Sequence, residues 1–179
     1  SETYRGTGPF SEPETQAMRD FCNAHEFRSA LNYHAAGDML IHPWATEENL
    51  LTPDSALFTA HAARMTRNNG YSNGTCHQVL NYLTNGSSDD WMYGEQGEKP
   101  KIISMTPETG QADEGFWPPS WRIVPLCQEN LPGMTQLLVC KVLGSPAGKP
   151  AYYKMVELHY PSMDALQADF AGRGGARVG

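Results

Sequence analysis

The sequence predicts an α/β protein, a β-sheet covered by helices on both faces. Three observations carry that expectation. Segments with helical spacing of apolar residues alternate with short extended runs along the chain. Two of the helical segments open on residues suited to starting a helix, around Ser11 and around Asp54. The run Ile102-Ile103-Ser104-Met105, bracketed by Pro100 and Pro107, has the apolar continuity of a buried strand.

Residues 1–10 read as a loop. Ser11 precedes Glu12-Pro13-Glu14, with Glu three residues after Ser and Pro in the first turn, so a capping box opens a helix from Pro13 to His25. Met18, Phe21 and Cys22 share one face of it. FRSALNYH then alternates as a strand ending near His34, Ala35 to Asp38 is a small-residue loop, and MLIHPW is extended. Asp54, after Pro53, is placed to cap a second helix through Arg67, which Asn68-Asn69-Gly70 stops. A short strand is expected around His77–Leu80 and a polar loop from Tyr82 to Asp90. The strand over 101–106 opens into the loop that carries Glu108, and Pro118-Pro119 starts a last helix reaching Val142. Composition shifts at Gly144. The sequence therefore divides into a unit over 1–143 and an extension over 144–179, in which a linker precedes a strand (YYKMVELHY) and a helix start at Ser162.

The totals narrow the function classes. With 179 residues, 40% of them hydrophobic and 18% charged, the chain can bury a real core and is not of the disordered kind. A net charge of −7 argues against nucleic acid as a partner, which needs a basic stripe. No apolar stretch is long enough for a membrane span. Cys22, Cys76, Cys127 and Cys140 form no C-x-x-C pair, and three disulfide connectivities are open if all four pair. Asn73-Gly74-Thr75 and Asn85-Gly86-Ser87 are formal N-glycosylation acceptors that also have the chemistry of Asn-Gly turns. An extracellular or periplasmic setting is consistent with these features.

Glu108 stands where a buried strand opens into a loop, which fixes a carboxylate while exposing it. Spacing alone gives it no more than the ordinary role of a solvated strand-end Glu, and likewise gives His34 that of a surface His. The wording around them points further. SETYRG and FSEPETQAMRDF, then NYHAAGDMLIHPW, then YLTNGSSDDW, then the strand with TPETG and GFWPPSWRIVP resemble, in order and spacing, the C-terminal half of carboxypeptidase A/B-type zinc metallopeptidases. The resemblance covers 1–143 and implies part of that family's mixed sheet.

The resemblance implies peptidase chemistry at particular residues. His34 falls on the third zinc ligand, Glu108 on the general base, and Tyr82 on the loop tyrosine that closes over substrate. Asp89 and Thr106 fall on the floor of the pocket for the substrate's C-terminal side chain, where an acidic Asp89 would favour Lys or Arg. A solvated turn is the alternative for Asp89 and Asp90. The implied cofactor is Zn2+ and the implied partner the C-terminus of a peptide or protein. His42, His61, His77 and His159 match no ligand position and read as structural.

Departures shape the expectation. The family's other two zinc ligands come from H-x-x-E, and none of the six His here is followed by Glu at that distance. Ala36 stands where the family has a small aromatic position. The zinc site in this sequence is therefore incomplete, the chain is expected to need a missing N-terminal half or a partner chain, and alone it is expected to be inactive. A non-catalytic binding or scaffold module derived from the same fold is the alternative. The stretch LGSPAGKPAYYKMVELHYPSMDALQADF faintly resembles a strand–helix segment of EthD-like α+β proteins, or is a family-specific extension.

Overall fold

A computed structural model describes residues 6–138, with side chains to residue 135. The expectations for 144–179 lie outside the described residues. In chain order the described elements are α1 (Pro13–Asn23), β1 (Ser29–Leu31), β2 (Met39–His42), α2 (Ser55–Met65), β3 (Ser72–Thr75), α3 (Cys76–Leu80), α4 (Ser88–Gly94), β4 (Ile103–Glu108) and α5 (Ile123–Leu138). Two 3-10 turns, Ala112–Glu114 and Ser120–Arg122, lie between β4 and α5.

The four strands make one mixed sheet in the order β1-β4-β2-β3. β1 runs parallel to β4, β2 antiparallel to β4, and β3 parallel to β2. The central strand β4 alternates between two environments, as a pleated strand must. Met105 joins Leu40, Phe58, Ala62, Met65 and Tyr93 in a core cluster that brings α2 onto the sheet. Ser104 points the other way, to the sulfur of Met92 on α4 (3.3 Å). A second cluster of Cys22, Met92 and Ile102 takes in α1.

Several local expectations are corrected. Glu12, not Ser11, occupies the cap position of α1 and makes no side-chain cap; the Ser11 hydroxyl donates to the Glu12 carboxylate instead. On that helix only Cys22 is buried, Met18 and Phe21 being about half exposed (50% and 52%). Asp54 sits at the start of α2 but caps nothing, because its carboxylate accepts from the Tyr93 hydroxyl (2.9 Å) and pairs with Lys101 Nζ (2.6 Å). The strand expected around His77–Leu80 is the helix α3. Its capping box closes when Thr75 Oγ1 accepts from the Gln78 amide and Gln78 Oε1 from the Thr75 amide. The loop expected to run to Asp90 ends at Ser87, where α4 begins with Asp89 and Asp90 in its first turn, a favourable place for anionic groups against the helix dipole. Asn73 lies in β3 and not in a turn.

β4 runs on to Glu108, past Pro107. The last helix opens as the 3-10 turn Ser120–Arg122 before α5 takes over. No disulfide joins Cys22, Cys76 and Cys127. Any full pairing of four cysteines needs at least one bond among those three, so none of the three connectivities forms.

Candidate active site

β4 places the site. Its alternation puts Ser104, Thr106 and Glu108 in a row on one face, and the register with β1 carries the chain at His34 alongside the end of that row. The His34 amide donates to the Pro107 carbonyl (2.9 Å), and the Thr109 amide donates to the His34 carbonyl (2.8 Å). This bridge extends the parallel pairing past β1 and fixes both backbones. It leaves His34 Nδ1 3.7 Å from Glu108 Oε1. The two side chains differ in setting: that of His34 is 62% exposed, that of Glu108 only 16%.

Burial raises the Glu108 carboxyl above the ordinary Glu value, and the neighbouring His34 ring partly offsets this. A carboxylate shifted upward in this way is a better proton acceptor near neutrality than an exposed one. Tyr82 follows the left-handed Asn81 that ends α3, and half its surface is exposed (52%). Partial burial raises its phenol, with the charges of Cys76 and Glu108 acting in the same direction. The Thr84 amide donates to the Ala45 carbonyl (2.9 Å), anchoring the loop at one point beyond Tyr82.

Asp89 is not part of a solvated turn. It is 3% exposed, and its carboxylate accepts from Asn32 Nδ2 (2.6 Å), from the Ser104 hydroxyl, and from the Thr106 hydroxyl (2.7 Å). Burial raises its pKa, with those three hydrogen bonds opposing. Asp90 accepts from the Ala45 amide and so holds the β2–α2 connection against α4. Asn32 and Ser104 are thus members of the cluster that sequence reasoning missed. The signal was the period of two: Asn32 stands two residues before His34, and Ser104 two before Thr106 and four before Glu108.

His42 is buried, stacked on Phe58 (centroids 5.3 Å apart), and burial lowers its pKa, in keeping with a structural role. His77 faces Glu48 at 3.4 Å. Among the described residues no three His, Cys, Asp or Glu side chains stand together to hold a metal ion. One imidazole beside one carboxylate does not fit a zinc ion by itself. No helix among the described residues is long and apolar enough to cross a membrane.

Comparison with known proteins gives this geometry its context. The zinc carboxypeptidase family model matches residues 1–133. Mouse carboxypeptidase A6 is 32% identical over 137 residues, 73% of this chain and 30% of that protein. Rat carboxypeptidase B2 is 30% identical over 145 residues, 76% of this chain and 33% of that protein. This chain thus spans 30% to 33% of the length of these two curated relatives. Among solved structures, bovine thrombin-activatable fibrinolysis inhibitor in complex with tick carboxypeptidase inhibitor superposes with a TM-score of 0.65 at 28% identity, over 76% of this chain and 48% of that one. Carboxypeptidase A of Helicoverpa armigera shares the fold, with a TM-score of 0.63 at 22% identity over 76% of this chain and 36% of that one. With its mixed sheet and a family match over residues 1–133, the chain belongs to the zinc carboxypeptidase family.

Proposed function

We propose that this chain forms the general-base side of a zinc metallocarboxypeptidase that releases C-terminal residues from peptides outside the cell. The observation that carries the reading is the approach of His34 to Glu108 at the end of the strand face that also bears Ser104 and Thr106. His34 is one zinc ligand, and the others come from groups outside the described residues. They would be supplied by an upstream segment or a partner chain seated beside β1, which is an edge strand among the described residues. Zinc, when bound, acidifies water and polarises a carbonyl.

The chain's own residues have separate tasks. Glu108 accepts the proton of the attacking water and later returns it to the leaving amine. Tyr82 swings with its loop and donates a hydrogen bond to the bound peptide. Asp89, backed by Asn32, Ser104 and Thr106, forms an anionic floor for the terminal side chain, which favours Lys or Arg through a charge-assisted pair. Without the remaining ligands the chain alone is inactive.

The test is hydrolysis by the protein purified together with any chain that accompanies it, using matched peptides ending in Arg, Lys or Phe. Release of the terminal residue, fastest for Arg and Lys and abolished in Glu108→Gln, is the expected result. No release from any of the three by a preparation that carries the remaining zinc ligands would sink the reading. A second reading, a binding module that kept the fold and gave up the metal, draws on the lack of H-x-x-E in the sequence and of a three-residue metal cluster among the described residues. It predicts peptide binding without turnover.

A further inference from the structure

We propose that Asn85 is an N-linked glycan acceptor, so that a sugar chain stands on the loop that bears Tyr82. Only two Asn-x-Ser/Thr triplets occur in the sequence, at Asn73 and Asn85, and neither has Pro between. The structure separates them. Asn85 is exposed in the connection between α3 and α4, outside any helix or strand. Next to it Gly86 takes a left-handed φ of +83°, and a Cβ built there meets nothing within 4 Å. Ser87 precedes α4 without using its hydroxyl to cap the helix, so the group that the transferase must read is not engaged there.

Asn73 is exposed as well, but its triplet is engaged where that of Asn85 is not. It lies in β3, paired with Leu40, and its amide nitrogen, the atom a sugar would occupy, donates to the buried Thr66 hydroxyl (3.1 Å). The Thr75 hydroxyl of its triplet is consumed as the cap of α3 in a residue only 3% exposed. A Cβ on the intervening Gly74 would come within 2.8 Å of Gln78 Oε1. The first triplet lies in an exposed loop with its Ser87 hydroxyl not capping α4, whereas modifying the second would break the Asn73–Thr66 hydrogen bond and compete with the Thr75 cap.

The step needs a lipid-pyrophosphate-linked oligosaccharide as donor. Asn85 Nδ2 forms the bond to the anomeric carbon of the first sugar, the bond from that carbon to the pyrophosphate oxygen breaks, the lipid pyrophosphate leaves, and the amide loses one proton to the transferase's base. The inference rests on the extracellular setting of the proposed function and deepens it, since the glycan would stand three residues from Tyr82.

The experiment separates the two claims. The whole chain is expressed in insect cells behind a cleavable heterologous secretion leader, which delivers it to the transferase whatever its natural address. Membrane and medium fractions are then mapped by peptide mass spectrometry after enzymatic deglycosylation in heavy-oxygen water, which converts each used Asn to an oxygen-labelled Asp and so separates it from spontaneous Asn-Gly deamidation; only labelled conversion counts. Conversion at Asn85, retained in Asn73→Gln and lost in both Asn85→Gln and Ser87→Ala, is expected. An unmodified Asn85 in both fractions, or a glycan that survives Asn85→Gln, overturns the proposal. Peptide mapping reads out even a chain that fails to fold, and the peptidase reading stands or falls separately on hydrolysis.

Discussion

The Thr106 hydroxyl donates a 2.7 Å hydrogen bond to Asp89 Oδ2, fastening the first turn of α4 to the strand that ends at Glu108. A buried acid satisfied by three donors from β4 and from the segment leading to His34 couples α4 to the placement of Glu108. Changes at Asp89 should therefore register in both stability and selectivity.

Asp89→Asn replaces one acceptor oxygen by an NH2 facing groups that themselves donate. Leaving a buried donor unmatched costs about 1–3 kcal/mol, which urea unfolding would register as a lower midpoint at unchanged slope. On the proposed reading the same variant loses the charge-assisted contact to a substrate Arg, so kcat/KM for peptides ending in Arg falls about tenfold or more relative to those ending in Phe.

Glu108 predicts a pH dependence with a definite sign. Its folded pKa lies above the unfolded value because burial disfavours the anion, with His34 opposing. The folded state then holds the proton more tightly, so this group's stabilising contribution is fully present below the unfolded pKa and is lost as pH rises through the folded one. Glu108→Gln cannot titrate. Unfolding both proteins in urea across a pH series should show the Gln variant gaining on the wild type as pH rises through that window, then running parallel. Parallel curves throughout would refute the burial argument.

Lys99 closes the C-terminal end of α4. Its side chain is fully buried, and Nζ donates to the carbonyls of Trp91 (3.2 Å), Met92 (2.7 Å) and Glu95 (2.8 Å) while lying 4.7 Å from the Trp91 ring centroid. Lys99→Met keeps the volume but strips these carbonyls of their donor. The expected cost is about 3 kcal/mol. Amide exchange should rise at Glu95, whose N–H closes the last turn on Trp91, more than in α2.

The sheet's central strand was legible because Pro100 and Pro107 bracket an apolar run. Its end was not, since Pro107 does not break the strand: its carbonyl takes the His34 amide and it pairs opposite Leu40. The helix at Cys76–Leu80 was hidden in a short apolar-edged segment that only the Thr75–Gln78 box decides. Asp89 was harder still. SDDW reads as a polar turn, and the partners that make Asp89 a buried acid lie 57, 15 and 17 residues away in sequence. His34, Glu108 and Tyr82 stood out through the order and wording of the blocks around them, because single residues at strand ends carry no periodic signal.

The central claim, that His34 is a zinc ligand and Glu108 the base beside it, is tested most directly by metal content. The protein is purified with any accompanying chain, dialysed, and measured by elemental mass spectrometry as wild type, His34→Ala and Glu108→Gln. About one zinc per chain in the wild type and in Glu108→Gln, lost in His34→Ala, is the predicted result. A wild type without zinc in a preparation that carries the remaining ligands, or a His34→Ala protein that holds it as firmly as the wild type, would contradict the account.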